Sequence, residues 1–408
     1  MPALRPLRGP FAVLLLCCGA LQSNTAAAGD ASVQLLVTVP IEASADLGPG
    51  RDFRRPPRYG GGPRTDVLLD GLAREHGLQR RGGWPIHALS VYCAVFELDG
   101  NGDPGTVLAH LQADARVDSA QPMLLHRTRA AADRAAADDA AADYDDPMLP
   151  LQTGFATLRL GAAHALSRGA GTSIAVVDTG MDQHHPELRG RIVQRADFTG
   201  GKATGHHGTA VGGLIGARPD NGIGIVGVAP DAQLLDLRAC WPDGDAGLQS
   251  VCSSLSLARA LDAAVAARAT VVSLALSGPD DPLLGRLIEV AVARGASVVA
   301  AASAKEAFPA SRDDVVGAAA TRDGPRLAEM RAVRVPAAGL ITTFPGGGFD
   351  FVSGDSFAVA QVAGVIALMR ARYPALTPDA VRSTLLAEQP LDAVALLQPR
   401  GGAIAAAH

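Results

Sequence analysis

Three side chains with complementary chemistry are spread along the chain in a fixed order: the carboxylate of Asp178, the imidazole of His207 and the hydroxyl of Ser356. They sit in the short motifs Val176-Val177-Asp178-Thr179-Gly180, His207-Gly208-Thr209 and Gly354-Asp355-Ser356-Phe357-Ala358. Together such groups make a weak alcohol a nucleophile. The imidazole takes the hydroxyl proton, and the carboxylate orients the ring and stabilises its cation. The expected chemistry is acyl transfer at a carbonyl carbon. Singly, each group has a plainer use, Asp178 in a turn, His207 on a helix and Ser356 as a helix cap. The order Asp, His, Ser is one of several in which this constellation occurs on unrelated folds.

The surroundings favour these three over their neighbours. Asp178 ends an apolar strand and precedes a Thr-Gly turn, and sites in doubly wound sheets lie beyond the carboxyl ends of strands. Asp182, Asp197 and Asp236 are rivals without so uniform a strand before them. His207 leads a run of small residues into a helix, which lets that helix pack closely. His206 is expected to face solvent, and His184 and His185 to lie in a loop. Ser356 follows a Gly-rich turn and opens a helix, so its N–H and the helix dipole point at a developing oxyanion.

Stepping outward, residues from about 146 alternate strand-like and helical stretches. Strands are expected at 173–177, 233–237, 270–276, 297–301 and 315–320, with helices at 255–268 and 283–293 between them. Such alternation specifies an α/β fold, a doubly wound, mostly parallel sheet. Thr377-Pro378-Asp379 is a good helix start. Before this lies a smaller α+β unit, residues 29–128, reading strand, helix, strand, helix, strand. Residues 129–146 are an Ala/Asp-rich linker open to proteolysis. The expected divisions are 1–28, 29–128, 129–146, 147–392 and a C-terminal tail, 393–408.

A net charge of -5 and no basic stripe argue against nucleic acid as a partner. Arg5 and Arg8, an apolar run at 11–21 and Ala26-Ala27-Ala28 read as a cleavable signal peptide over 1–28, too short to span a bilayer. The expected location is secreted or periplasmic, with no membrane span. Leu16 before Cys17 disfavours a lipid anchor. Cys93 is isolated, whereas Cys240 and Cys252 bracket a polar loop and are expected as a disulfide in an oxidising compartment; two unpaired thiols are the alternative.

The chain resembles the subtilisin-like serine peptidases (subtilases) over about 146–390. The resemblance rests on the three motifs, Gly227-Val228-Ala229-Pro230, and Val362-Ala363-Gly364 after the serine. It implies a secreted endopeptidase with Asp178, His207 and Ser356 as its triad. It also implies a ferredoxin-like propeptide over 29–128 that inhibits the zymogen and assists folding, and polypeptide substrates. Ala275-Leu276-Ser277-Gly278 matches the strand that pairs with substrate. No cofactor is required. A structural calcium is possible without a clear motif: Glu187 and Asn221 fall where the family holds one, but read as a solvated surface pair.

The resemblance fails at the oxyanion hole. Ala304, after Ser303, stands where the family has Asn, and in subtilisin removing that Asn costs about 10²–10³ in kcat, roughly 2.7–4 kcal/mol. Asp355 replaces Thr before the nucleophile, and Ala360-Gln361 replace Pro-His. The opposite wall of the main specificity pocket is trimmed near Lys305 and Glu306, which suggests small or polar side chains there. A catalytically impaired binding or scaffold protein on the same fold is the alternative function.

Overall fold

The computed structural model describes residues 33–41, 63–98, 103–128, 144–201, 205–243, 249–302, 307–321 and 331–399. The expected signal peptide, residues 129–143 of the linker, and Ser303 to Glu306 lie outside these, as do residues 400–408.

The N-terminal unit runs β1 (Gln34–Pro40), α1 (Pro63–Glu75), β2 (Leu78–Ile86), β3 (Val91–Leu98), α2 (Pro104–Ala113), β4 (Ser119–Pro122). Its sheet has the order β2-β3-β1-β4 with antiparallel pairs, a split β-α-β arrangement. The strand β2 was not expected, because Arg80, Arg81, Gly82 and Gly83 break any apolar alternation. As an edge strand it needs only β3 as partner, and its register shifts between Arg80 and Gly82. Both faces of the sheet are covered. Tyr92, Ala94 and Phe96 of β3 pack with Leu69, Leu72 and Leu111 of α1 and α2. Val91, Cys93 and Val95 belong instead to a core shared with the rest of the chain. That double burial is why Leu35 to Val39 are all buried rather than alternating.

After β5 (Leu125–Arg127) come a 3-10 turn at Leu149–Leu151, α3 (Thr153–Thr157), α4 (Leu160–His164), β6 (Ser173–Asp178) and β7 (Ile192–Asp197). Then follow α5 (His206–Gly216), β8 (Gln233–Arg238), β9 (Cys240–Pro242), β10 (Ser250–Ser253), α6 (Ser254–Ala266) and β11 (Val271–Leu274). The chain continues through α7 (Pro282–Ala293), β12 (Ser297–Ala301), β13 (Val315–Ala320), β14 (Ala332–Val335) and the hairpin β15 (Leu340–Phe344), β16 (Gly348–Val352). It closes with α8 (Asp355–Arg372), α9 (Pro378–Ala387) and α10 (Ala393–Leu397).

Seven parallel strands in the order β14-β13-β12-β11-β6-β8-β7 form the central sheet. Successive residues of β6 point to opposite faces, as strand geometry requires. Ile174 and Val176 join the core of α5 and α8, whereas Ala175 and Val177 join that of α6 and α7. Helices on both faces make the fold α/β and doubly wound, with the strand order reversing beside β6. The helix α8 is buried from Ser356 to Met369, so it has no polar face and runs through the core. Residues 393–397, expected as the start of a tail, form α10 instead, with Ala393, Val394, Leu396 and Leu397 buried.

Candidate active site

The first acid arrives at the carboxyl end of β6, beside the strand-order reversal. Asp178 is buried and accepts the Thr179 N–H at 2.6 Å. Both its oxygens lie 2.9 Å from Nδ1 of His207. A carboxylate only accepts, so in a neutral ring Nδ1 carries the proton and Nε2 has the lone pair. Gly208 allows this approach: a Cβ there would lie 2.5 Å from the Gly180 carbonyl oxygen. The rival acids serve local structure. Asp182 and Asp197 accept turn N–H groups, and Asp236 takes the Met181 N–H and the Arg195 guanidinium. His206 is half-buried against Phe344, ring centres 4.7 Å apart, rather than facing solvent.

The hydroxyl comes from the opposite side of the site, on α8. Gly354 caps that helix at φ 138°, a conformation that favours glycine, and Ser356 follows in the first turn. The ring of Phe357 packs 5.5 Å from that of His207, which draws the two helices together. Ser356 Oγ donates to the Ala275 carbonyl at 2.8 Å, while Nε2 of His207 is buried without a hydrogen bond among the described residues. Asp355 turns aside: its Oδ1 accepts the N–H of Ala320 at the end of β13, at 2.9 Å. Ser303 and Ala304 lie outside the described residues.

Ala275 to Gly278 leave β11 toward a strip of chain that the sequence did not foretell. The strand β5 pairs antiparallel with β10, placing His126 opposite Cys252. On its other edge Arg127 donates to the Ser277 carbonyl at 2.9 Å, and Ser277 donates back to Arg127 at 3.0 Å. The Thr128 N–H reaches the Ser250 carbonyl at 3.0 Å. Residues 125–128 thus fill a slot between β10 and Ser277 as its middle strand. Cys240 and Cys252, at the paired ends of β9 and β10, are joined by a disulfide, S–S 2.02 Å.

Glu187 corrects the expectation of a solvated pair with Asn221. It is fully buried, accepts the Ile225 N–H at 2.9 Å and the Asn221 amide at 3.0 Å, and burial pushes its carboxyl up to about 7. Asn221 turns an amide N–H toward it, the wrong group for a cation. Nearby oxygens fit one better. Asp145, Asp146 and Asp220 bring carboxylate oxygens within 4.8 Å of one another, and Asp146 Oδ1 is buried without a hydrogen bond among the described residues. Hard cations such as calcium take such oxygen sets. Adjacent Asp residues in a linker gave no ligand spacing to read.

Known proteins share this framework. The family described as the subtilase family, Peptidase_S8, matches residues 169–396. The thermophilic serine proteinase of Bacillus sp. (strain AK1) is 32% identical over 216 residues, 49% of this chain and 52% of its own length. Thermitase of Thermoactinomyces vulgaris is 29% identical over 233 residues, 53% of this chain and 81% of its own. Fervidolysin from Fervidobacterium pennivorans, a keratinolytic enzyme related to subtilisin, superposes with TM-score 0.69 at 19% identity. That superposition covers 90% of this chain and 61% of that one, and at this identity it speaks for the fold alone.

Proposed function

Because the chain belongs to the subtilase family of serine endopeptidases, we propose that it is a secreted zymogen that cuts peptide bonds with Asp178, His207 and Ser356. The carrying observation is the strip 125–128, paired on both edges and leading toward Ser356. In a substrate strand of that register, the residue two beyond the one facing Ser277 faces Ala275, whose carbonyl holds Ser356 Oγ. Its carbonyl carbon is the point of attack.

The Ser356 hydroxyl leaves the Ala275 carbonyl, gives its proton to Nε2 of His207, and Oγ bonds the substrate carbonyl carbon. Asp178 holds Nδ1–H and balances the imidazolium. The proton then passes to the leaving amine, and water repeats the sequence to free the acid. The first turn of α8 supplies backbone N–H groups for the oxyanion. The N-terminal unit acts as inhibitor and folding assistant, since it fills the slot and packs a sheet face on the peptidase core. Counting two residues on from Arg127 puts the cut between Arg129 and Ala130. The residues 1–28 act as the export signal. Calcium, where bound, would be held by Asp145, Asp146 and Asp220 as a structural ion.

The test is intact mass over time for the parent beside Ser356→Ala. We expect the parent alone to lose a fragment ending at Arg129 and to label with a fluorophosphonate. Identical masses with no labelling would instead support the scaffold reading that Ala304 favours.

A further inference from the structure

One side chain of the strip 125–128 has no part in this chemistry. Burial alternates along β5, so that Leu125 and Arg127 are exposed while His126 is wholly buried. Its ring centre lies 6.0 Å from that of Phe308, and its Nε2 is 3.4 Å from Oδ2 of Asp281. Since the carboxylate only accepts, Nε2 is the protonated nitrogen. Gly278, whose N–H donates to the Phe308 carbonyl at 2.9 Å, lies against the ring, and an added Cβ there would sit 2.2 Å from Nδ1. The pocket therefore has room for an imidazole ring that a side chain at position 278 would close off, and it offers a hydrogen-bond partner to Nε2 but, among the described residues, none to Nδ1.

Asp281 is more than a helix cap. Its Oδ1 accepts the Leu284 N–H at 3.1 Å and the Gln121 amide at 2.8 Å, and its Oδ2 accepts the Ser254 hydroxyl. Burial alone would raise its carboxyl, but the donors His126, Gln121 and Ser254, with the Leu284 N–H, hold it below the ordinary range. Two of those donors, Gln121 and His126, belong to the N-terminal unit and leave with it. Ser254 and Leu284 remain and keep the carboxylate in place, facing an emptied pocket.

We propose that this pocket is a substrate subsite with Asp281 as its specificity residue, selecting histidine at the fourth position on the amino side of the cut bond. The position follows from the register, His126 being fourth when Arg129 is first, and so rests on reading 125–128 as a substrate-like strand. Leucine there would cover the carboxylate while leaving it only the Ser254 hydroxyl and the Leu284 N–H, so a buried charge would go short of a donor that histidine supplies. Lysine brings charge without a planar ring to lie between Gly278 and Phe308.

The measurement uses the purified chain after linker cleavage, by itself or by trace trypsin that is then inhibited. Quenched peptides differing only at that position, with His, Leu, Phe or Lys, are compared by kcat/KM. We expect His to exceed Leu about tenfold or more. In Asp281→Asn, which still caps α7, the His-to-Leu ratio should fall to about twofold. Equal rates, a preference for Leu or Phe, no hydrolysis, or a His preference untouched in Asp281→Asn would overturn it. Self-cleavage after Arg129 without any His preference sinks the subsite and spares the zymogen reading. A His preference without self-cleavage does the reverse.

Discussion

At the scale of single residues, the rate of the reaction turns on what stabilises the oxyanion. Asp355, whose charge would oppose it at close range, is tied to the Ala320 N–H. Ala304 supplies no side-chain donor. Ala304→Asn is therefore expected to raise kcat by up to about 10²–10³; an unchanged kcat would mean another donor already serves. Glu187 gives a stability prediction. Its carboxyl sits at about 7 when folded, against an ordinary 4.5, so the folded chain binds that proton more tightly. The contribution of Glu187 to stability should be greatest below about pH 4.5, fall by about 3 kcal/mol as pH rises to about 7, and then level. Urea melts across that range should show the fall as a difference between Ser356→Ala and the same chain carrying Glu187→Gln; a difference that does not change with pH would rule it out. The candidate triad of Asp178, His207 and Ser356 could be singled out in the sequence because each sits in a compact motif. Asp281 was not, since its partners Gln121 and His126 are 160 and 155 residues away in sequence.

Among the elements, close packing around α8 makes the sharpest demand. A Cβ on Gly364 would lie 2.6 Å from both Cβ and Cγ1 of Val228, which is itself buried, and α8 is buried on all sides there, so neither can retreat. Gly364→Ala should cost about 1–3 kcal/mol in denaturant melts. The trio Asp145, Asp146 and Asp220 joins the segment before α3 to the loop before β8. Calcium should raise the melting temperature of Ser356→Ala and EDTA lower it. Asp146→Asn should remove the response; an unaltered response would place the ion elsewhere. Five of the parallel strands, β6, β8, β11, β12 and β13, were readable as apolar runs because both faces are buried, whereas β14 was not expected. The edge strands β2 and β7 were not: β7 carries Gln194 and Arg195 on an exposed edge and lacks the pattern that burial imposes.

For the whole molecule, the sheet of the N-terminal unit completes a core with α6 and α7, leaving Cys93 buried between them. A chain lacking residues 29–128 should refold slowly after dilution from denaturant, and the separate unit added back should restore the rate; equal refolding would discard the folding role. The sequence showed two units of different grammar joined by a linker. It did not show that they share a core, because contacts between distant segments leave no periodic trace in either. The slot between β10 and Ser277 carries one more consequence. It is a sheet with its middle strand left out, two rows of backbone donors and acceptors that a passing chain completes only when stretched flat. A helix or a sealed loop cannot lend its backbone that way. On the proposed reading, a protein cut here would first have to come undone, and its folded state would be read before any side chain.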